Sequence, residues 1–166
     1  MATQPLISWK NVQRVLDEFG REFVDVYRKR LQAGGINTSK SSLSNSVSYE
    51  VRSGNTWIAV DISLLEYWQY IEHGRKPGKM PPISAIEQWI KIKPIVPKAY
   101  GGKKPPTTKS LAYLIARKIG LEGIAPRPHF QGTMDALLRS FDKALDDAVA
   151  QDVGESIDII MMIYKK

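Results

Sequence analysis

Glu72 and His73 are neighbours in this 166-residue chain, with Asp61 and Glu66 within a dozen residues. A carboxylate beside an imidazole is the raw material of general acid–base catalysis, because histidine titrates near neutral pH and a carboxylate can orient it. The spacing goes no further than that. The second histidine, His129, lies far along the chain, and no nucleophile elbow is present. A histidine directly before a helix-stopping glycine, here Gly74, reads instead as a cap on the last helical carbonyls. His129, following Arg127 and Pro128, reads as a residue that positions a connector. Gly101-Gly102-Lys103-Lys104 has the outline of a phosphate loop, but it lacks the first glycine at the required distance and a Ser/Thr directly after the lysine. The absence of cysteine excludes disulfides and thiolate metal sites, and two histidines without carboxylates at ligand spacing suggest no metal centre. No catalytic, cofactor or metal-binding residue is assigned. A small nuclease or hydrolase would need a carboxylate or histidine cluster that the sequence does not assemble, so the expectation is a protein that is not an enzyme.

The charge pattern directs attention to binding. The net charge is +7, yet residues 1–74 balance at zero and residues 131–166 carry a net −3. Residues 75–130 hold twelve Lys/Arg against Glu87 and Glu122, a net +10. A block of one sign implies an acidic surface or nucleic acid nearby, the alternative being a solvated face that keeps the chain soluble. Lys98, Lys103, Lys104 and Lys109 are the candidates to face DNA, interleaved with Tyr100. Duplex DNA presents one phosphate charge per about 1.7 Å of axis, so a ring ~20 Å deep would face only about a dozen. Several copies of such a segment would clamp DNA rather than let it slide, so acidic protein surfaces are the better match for most of these lysines. The N-terminus reads as no signal peptide, and no apolar run approaches the ~20 residues needed to span a bilayer. The expectation is a cytoplasm-like compartment and no membrane.

The elements that must position these residues follow from periodicity. Ser8 is a cap for a helix reaching about Ala33, with Trp9, Val12, Leu16, Phe19, Phe23, Val26 or Tyr27, and Leu31 on one stripe and Gly34-Gly35 as the stop. Asp17–Arg21 and Asp25–Lys29 are helpful i,i+4 pairs on the opposite face. Residues 36–46 read as a loop. Val47, Tyr49 and Val51 alternate with polar residues, Ser53-Gly54-Asn55 is turn chemistry, and Trp57 to Ile62 is a second strand, giving a hairpin that needs the first helix against it. A short helix over 64–73 leads into a basic Gly/Pro loop over 75–82. A helix over 83–93 carries Ile83, Ile86, Trp89 and Ile90 inward. Residues 94–106 form a long basic loop. Thr107 or Thr108 caps a helix with Leu111, Leu114, Ile115 and Ile119 inward and Gly120 as its stop. After an extended connector over 123–129, a last helix runs from about Gly132 to Ala150, with Met134, Leu137, Leu138, Phe141, Leu145 and Val149 as its stripe. Residues 1–150 thus read as one α+β domain, and 151–166 as an apolar arm without clean helical or strand periodicity. Such an end needs covering, by its own domain or by a neighbouring chain. Trp9, Trp57, Trp68 and Trp89 read first as core residues, with Trp68 and Tyr70 the best interface anchors among the aromatics. The interface candidates are Trp68, Tyr70, Arg75, Lys76, Lys79 and Met80 around the Gly/Pro loop, and Ile157, Ile160, Met161 and Tyr164 in the arm.

Three stretches carry a resemblance. Leu43-Ser44-Asn45-Ser46 leads into the first strand. Tyr70-Ile-Glu-His-Gly74 runs into Arg-Lys-Pro-Gly-Lys-Met-Pro-Pro82 and a Trp89-containing helix. Ser110-Leu-Ala-Tyr-Leu-Ile-Ala-Arg-Lys-Ile-Gly120 is followed by Gly123-Ile-Ala-Pro-Arg-Pro-His-Phe130 and a closing helix. In this order the chain, over roughly residues 8–150, resembles the tail-completion or head–tail joining (neck) proteins of long-tailed bacteriophages. Tyr70, Glu72 and Gly74 match the Tyr–x–Glu–x–Gly element usual in that family. Pro128, His129 and Phe130 match its Pro-x-Phe-like element. The arm and the 94–106 loop have no counterpart there. The resemblance implies a long helix on an antiparallel sheet and a non-enzymatic virion subunit. It implies a ring, of six or twelve copies, at the head–tail junction, contacting other neck, portal or tail proteins around the DNA channel. The alternative is sequence-independent nucleic-acid binding through residues 75–130.

Overall fold

Helix stripes, a short hairpin and glycine-marked turns become, in the computed structural model, α1 (Lys10–Ala33), α2 (Leu43–Ser46), β1 (Ser48–Ser53), β2 (Ile58–Ser63), α3 (Trp68–Glu72), α4 (Ile83–Ile92), α5 (Thr108–Glu122) and α6 (His129–Tyr164). The structure describes residues 7–36, 43–54, 57–92, 95, 97–99 and 104–164. This is an α+β protein in which the long N-terminal helix packs on a two-stranded antiparallel sheet, with further helices. The chain divides into two compact units: Met1–Ile36, Ser46–Leu64 and His129–Lys166 form one, Asn37–Asn45 and Leu65–Pro128 the other. One domain over 1–150 followed by a separate arm is therefore not the division found. The helix expected to stop near Ala150 runs on to Tyr164 without a break.

In the first unit, α1 and α6 lie antiparallel. Val12, Val15, Phe19, Phe23, Val24, Tyr27 and Leu31 of α1 are buried, at three- and four-residue spacing. Tyr27 rather than Val26 takes the inward position. Phe19 meets the edge of Phe141 at a centroid distance of 5.3 Å, and Phe130 stands edge-on to Phe23 at 5.1 Å. Such pairs add about 0.5–1.5 kcal/mol each beyond their buried area. On α6 the buried positions are Thr133, Leu137, Ala148, Asp152 and Ser156, whereas Leu138 and Val149, expected inward, are exposed. The buried face is rotated toward residues one position earlier, and its two hydroxyls are satisfied locally: Thr133 donates to the His129 carbonyl at 2.7 Å and Ser156 to the Asp152 carbonyl at 2.7 Å.

Ser8 does not cap α1; Trp9 occupies the cap position without a side-chain bond. The cap comes from α6. Asp152 accepts the Asn11 backbone N–H at 3.0 Å, the Val12 N–H at 2.9 Å and the Asn11 side-chain amide at 2.8 Å. At the other end, the N–H groups of Gly35 and Ile36 close onto the carbonyls of Gln32 and Leu31 at 3.0 and 2.9 Å, a Schellman stop. The hairpin pairs Ser48 with Ser63 through to Ser53 with Ile58. It approaches α1 at Gly20, where an added Cβ would fall 2.2 Å from the Tyr49 ring. The Tyr49 hydroxyl donates to Asp17 at 3.0 Å, and Arg21 donates to the other Asp17 oxygen at 2.6 Å.

In the second unit, α4 packs against α5. Residues 43–46, expected as loop, form the single turn α2 with Leu43 and Ser44 buried. Thr107 caps α5 by accepting the Ser110 N–H at 3.2 Å. Gly120 does not stop α5, which continues to Glu122 and ends at Gly123. The buried line of α5 is Ala112, Ala116 and Gly120, and Leu114, expected inward, is exposed. Small side chains at four-residue spacing let neighbouring segments approach the helix closely, and the Met80 side chain occupies the space over Gly120.

Candidate interaction surfaces

Of the residues suited to acid–base chemistry, Asp61 and His129 belong to the first unit and Glu66, Glu72 and His73 to the second. Glu72 is buried at the end of α3 while His73, the next residue, is exposed. His73 closes α3 through its backbone N–H, which donates to the Gln69 carbonyl at 2.9 Å, and its ring stands 6.2 Å from Trp68. Asp61 is on the hairpin, ion-paired with Arg52 across the strands. His129 opens α6 and packs over the end of α1, where an added Cβ on Gly34 would lie 2.8 Å from its ring. Among the described residues no group of three His, Asp or Glu side chains could hold a metal ion. Arg21 and Tyr67 are displaced from their ordinary range. Hydrogen bonding to Tyr49, then to Asp17, raises the exposed Arg21 guanidinium. Burial raises the Tyr67 phenol, opposed by a backbone hydrogen bond at Leu43.

The Gly/Pro loop is fastened along its backbone. Arg75 exchanges both backbone hydrogen bonds with Ile124, at 2.9 and 2.8 Å, and the Gly78 N–H donates to the Gly120 carbonyl at 2.7 Å. The Arg127 N–H reaches the Ile71 carbonyl at 2.7 Å, so the 123–128 connector runs beside the loop. Glycine is required at two points of this clasp. Gly74 has φ +69° and an added Cβ would lie 2.3 Å from the Ile124 oxygen. Gly123 has φ +76° and its Cβ would lie 2.2 Å from the Arg75 oxygen. The side chains differ from the backbone in their freedom. The Arg75 guanidinium donates to the Lys79 carbonyl at 2.9 Å, while Lys76, Lys79 and Met80 are exposed. Tyr70 is 54% exposed and Trp68 half-buried, so of the two anchors Tyr70 is the one presented outward. Trp57 and Trp89, expected in the core, are exposed, and the Trp57 indole lies over Gly54 at the hairpin turn.

Lys98, Lys104 and Lys109 are exposed. Lys103 lies outside the described residues, as do most of the glycine-lysine run and Tyr100.

The end of α6 is a run of uncovered apolar residues. Ile157 and Met161 are each 54% exposed, Met162 70% and Ile163 68%, with Ile159 and Ile160 also exposed. Of the expected arm residues, Ile157, Ile160 and Met161 are brought together on these last turns; the Tyr164 side chain lies outside the described residues. The reason is geometric. Asp152 sits at the first turn of α1, so the turns beyond Ser156 project past the start of the helix that covers the rest of α6. A second apolar surface was not read from the sequence. Val15, Leu16 and Phe19 of α1, Val60 of β2, and Leu138 and Phe141 of α6 line an open groove of about 180 Å³, with Met134, Leu145 and Asp142 along the same side. Its signal was present in the width of the α6 stripe, which has more apolar positions than α1 alone can cover.

Among the described residues no helix is long and apolar enough to cross a membrane. Comparison of the chain with protein-family models, with curated proteins and with solved structures finds no match.

Proposed function

We propose that this protein is a structural subunit of a tailed bacteriophage virion, one that assembles into a ring at the head–tail junction and bridges neighbouring virion proteins around the DNA channel. The observation that carries this reading is the exposed apolar end of α6, which its own unit leaves without cover. Monomeric soluble proteins rarely expose contiguous apolar patches beyond about 300–600 Å², and larger ones mark association surfaces. The order of the sequence elements Tyr70–Gly74, Ser110–Gly120 and Pro128–Phe130 supports the same reading through their resemblance to neck proteins. The clasped loop agrees with it, because a rigid backbone presenting Lys76 and Lys79 loses little freedom on docking. The ring does its work by contact, without catalysis. Native mass measurement and electron microscopy of the full chain, alone and with virion neck proteins, test the proposal. Rings are expected; a strictly monomeric species at high concentration under both conditions would refute it.

The exposed Lys98, Lys104 and Lys109 favour a second reading, sequence-independent binding of nucleic acid. Its signature is an affinity for duplex DNA that falls steeply with salt, since counterion release scales with the phosphates contacted. Undetectable binding at about 50 mM salt removes this reading.

A further inference from the structure

Among the described residues no strand pairs with the outer edge of β1, and we infer that the β1 edges of two copies pair antiparallel about Val51, joining two hairpins into one continuous sheet. This goes beyond the ring-subunit reading and does not rest on it. A two-fold contact closes at two copies, whereas a ring needs a contact that propagates.

The hairpin register fixes which backbone groups face that edge. The Gly54 N–H donates to the Trp57 carbonyl at 2.8 Å, so the even-numbered residues of β1 bond to β2. The N–H and C=O groups of Tyr49, Val51 and Ser53 therefore point outward, and among the described residues no hydrogen bond reaches them. Just before them the Val47 carbonyl is taken by the Arg28 guanidinium at 3.1 Å, which marks where the open edge begins. β1 is also the barer strand: Ser48, Glu50, Arg52 and Ser53 are exposed, whereas in β2 only Ser63 is. It carries no proline and no inward-facing charge, two devices that keep an edge from pairing.

Charge selects a second copy and a single register. Tyr49 packs on α1, so Glu50 and Arg52 lie on the opposite, outer face of the hairpin. Within one hairpin Glu50 stands directly opposite Asp61, and Arg52 is ion-paired with Asp61. Like charges directly opposite destabilise a sheet, and unlike charges support it. Antiparallel pairing centred on Val51 sets Glu50 of each copy opposite Arg52 of the other. Each arginine then lies between the Asp61 of its own hairpin and the Glu50 of the other. Moving the centre by one residue sets Glu50 against Glu50 or Arg52 against Arg52. In the register centred on Val51, Val51 meets Val51 and Tyr49 meets Ser53, and each of these facing pairs exchanges two backbone bonds. The exposed Trp57 indole lies over Gly54, the residue that faces Ser48 of the other copy, and adds apolar cover at both ends of the contact.

The native chain has no cysteine, which leaves a clean background for crosslinking. Full-length E50C and R52C, both at exposed positions and both checked for folding by circular dichroism, are mixed under mild oxidation and resolved on a non-reducing gel. Facing residues of this kind have Cα atoms about 4.5 Å apart, within disulfide range, and the mixed pair keeps one Glu50–Arg52 contact. Identical positions in the two copies are diagonal neighbours, about 7–8 Å apart. A linked pair is expected at least about tenfold faster from the mixture than from either variant alone. Native mass supplies the second readout. E50R sets arginine against arginine at both contacts and is expected to raise the dissociation constant of the pair at least about tenfold, and E50R/R52E is expected to restore it. Absence of the mixed disulfide at high concentration overturns the proposal, as does a pair whose affinity E50R leaves unchanged. A chain that stays monomeric alone and joins only a different virion protein, in a complex that E50R disrupts, overturns it too. Rings without the mixed disulfide leave the ring-subunit reading standing and remove this contact, whereas a mixed disulfide without rings does the reverse.

Discussion

The carboxylate of Asp152 accepts two backbone N–H groups of α1 from a position 141 residues away in the chain. It satisfies donors that the first turn of any helix leaves open, and its negative charge lies where the helix dipole favours one. Because Asp152 is buried, replacing it strands those donors without water. D152A is expected to lower unfolding free energy by about 1–3 kcal/mol, with D152N, which keeps one carbonyl acceptor, losing less. Chemical denaturation of the three proteins side by side checks the order. Tyr49 is a second such residue. Its ring occupies the space that Gly20 leaves open on α1, and its hydroxyl joins the Asp17–Arg21 pair, so one side chain sets both how close the hairpin comes and where along α1 it lies.

Among the elements, the Gly/Pro loop and the 123–128 connector act as one clasp. The sequence identified the loop by its glycines, prolines and charges, and identified the connector by Pro126 and Pro128, but nothing in either string pairs them. Their join is a pair of backbone hydrogen bonds between Arg75 and Ile124, which any residue types can make. The glycines record the join indirectly, as positions where a Cβ would strike a carbonyl oxygen. G74A and G123A are each expected to destabilise the second unit by more than the ~1–3 kcal/mol of a strained left-handed residue, because backbone contact is added to backbone strain. Hydrogen exchange should show lost protection at Arg75, Gly78 and Ile124 in both variants. Retained protection at these amides would mean that the clasp is not held by close glycine packing.

At the scale of the whole molecule, the proposed assembly would draw on the part of α6 that follows Ser156, beyond its last buried residue. Ser156 and Asp152 belong to the interior, whereas Ile157 and the residues from Ile159 to Ile163 are all exposed. Deleting residues 157–166 is therefore expected to leave the thermal midpoint within a few degrees of the full chain while abolishing assembly, read by circular dichroism and native mass on one sample. A truncated protein that still assembles would assign the association surface elsewhere, with the face bearing Tyr70, Lys76 and Lys79 the next to examine.

What the chain determined by itself is what local periodicity and turn chemistry encode. The α1 stripe, the hairpin and its face, a threonine cap at 107 or 108, and the placement of positive charge in residues 75–130 were all legible, because each depends on neighbours within a few residues. Tertiary structure alone decided the rest. Which side of α6 turns inward depends on where α1 lies, so Leu138 and Val149 point outward despite an apolar pattern that includes them. Whether residues 151–164 form a separate arm or a continuation depends on Asp152 finding the start of α1, a contact with no local signature. The apolar groove and the exposed end of α6 have the same origin: two long helices of unequal length, 24 and 36 residues, cannot cover each other completely.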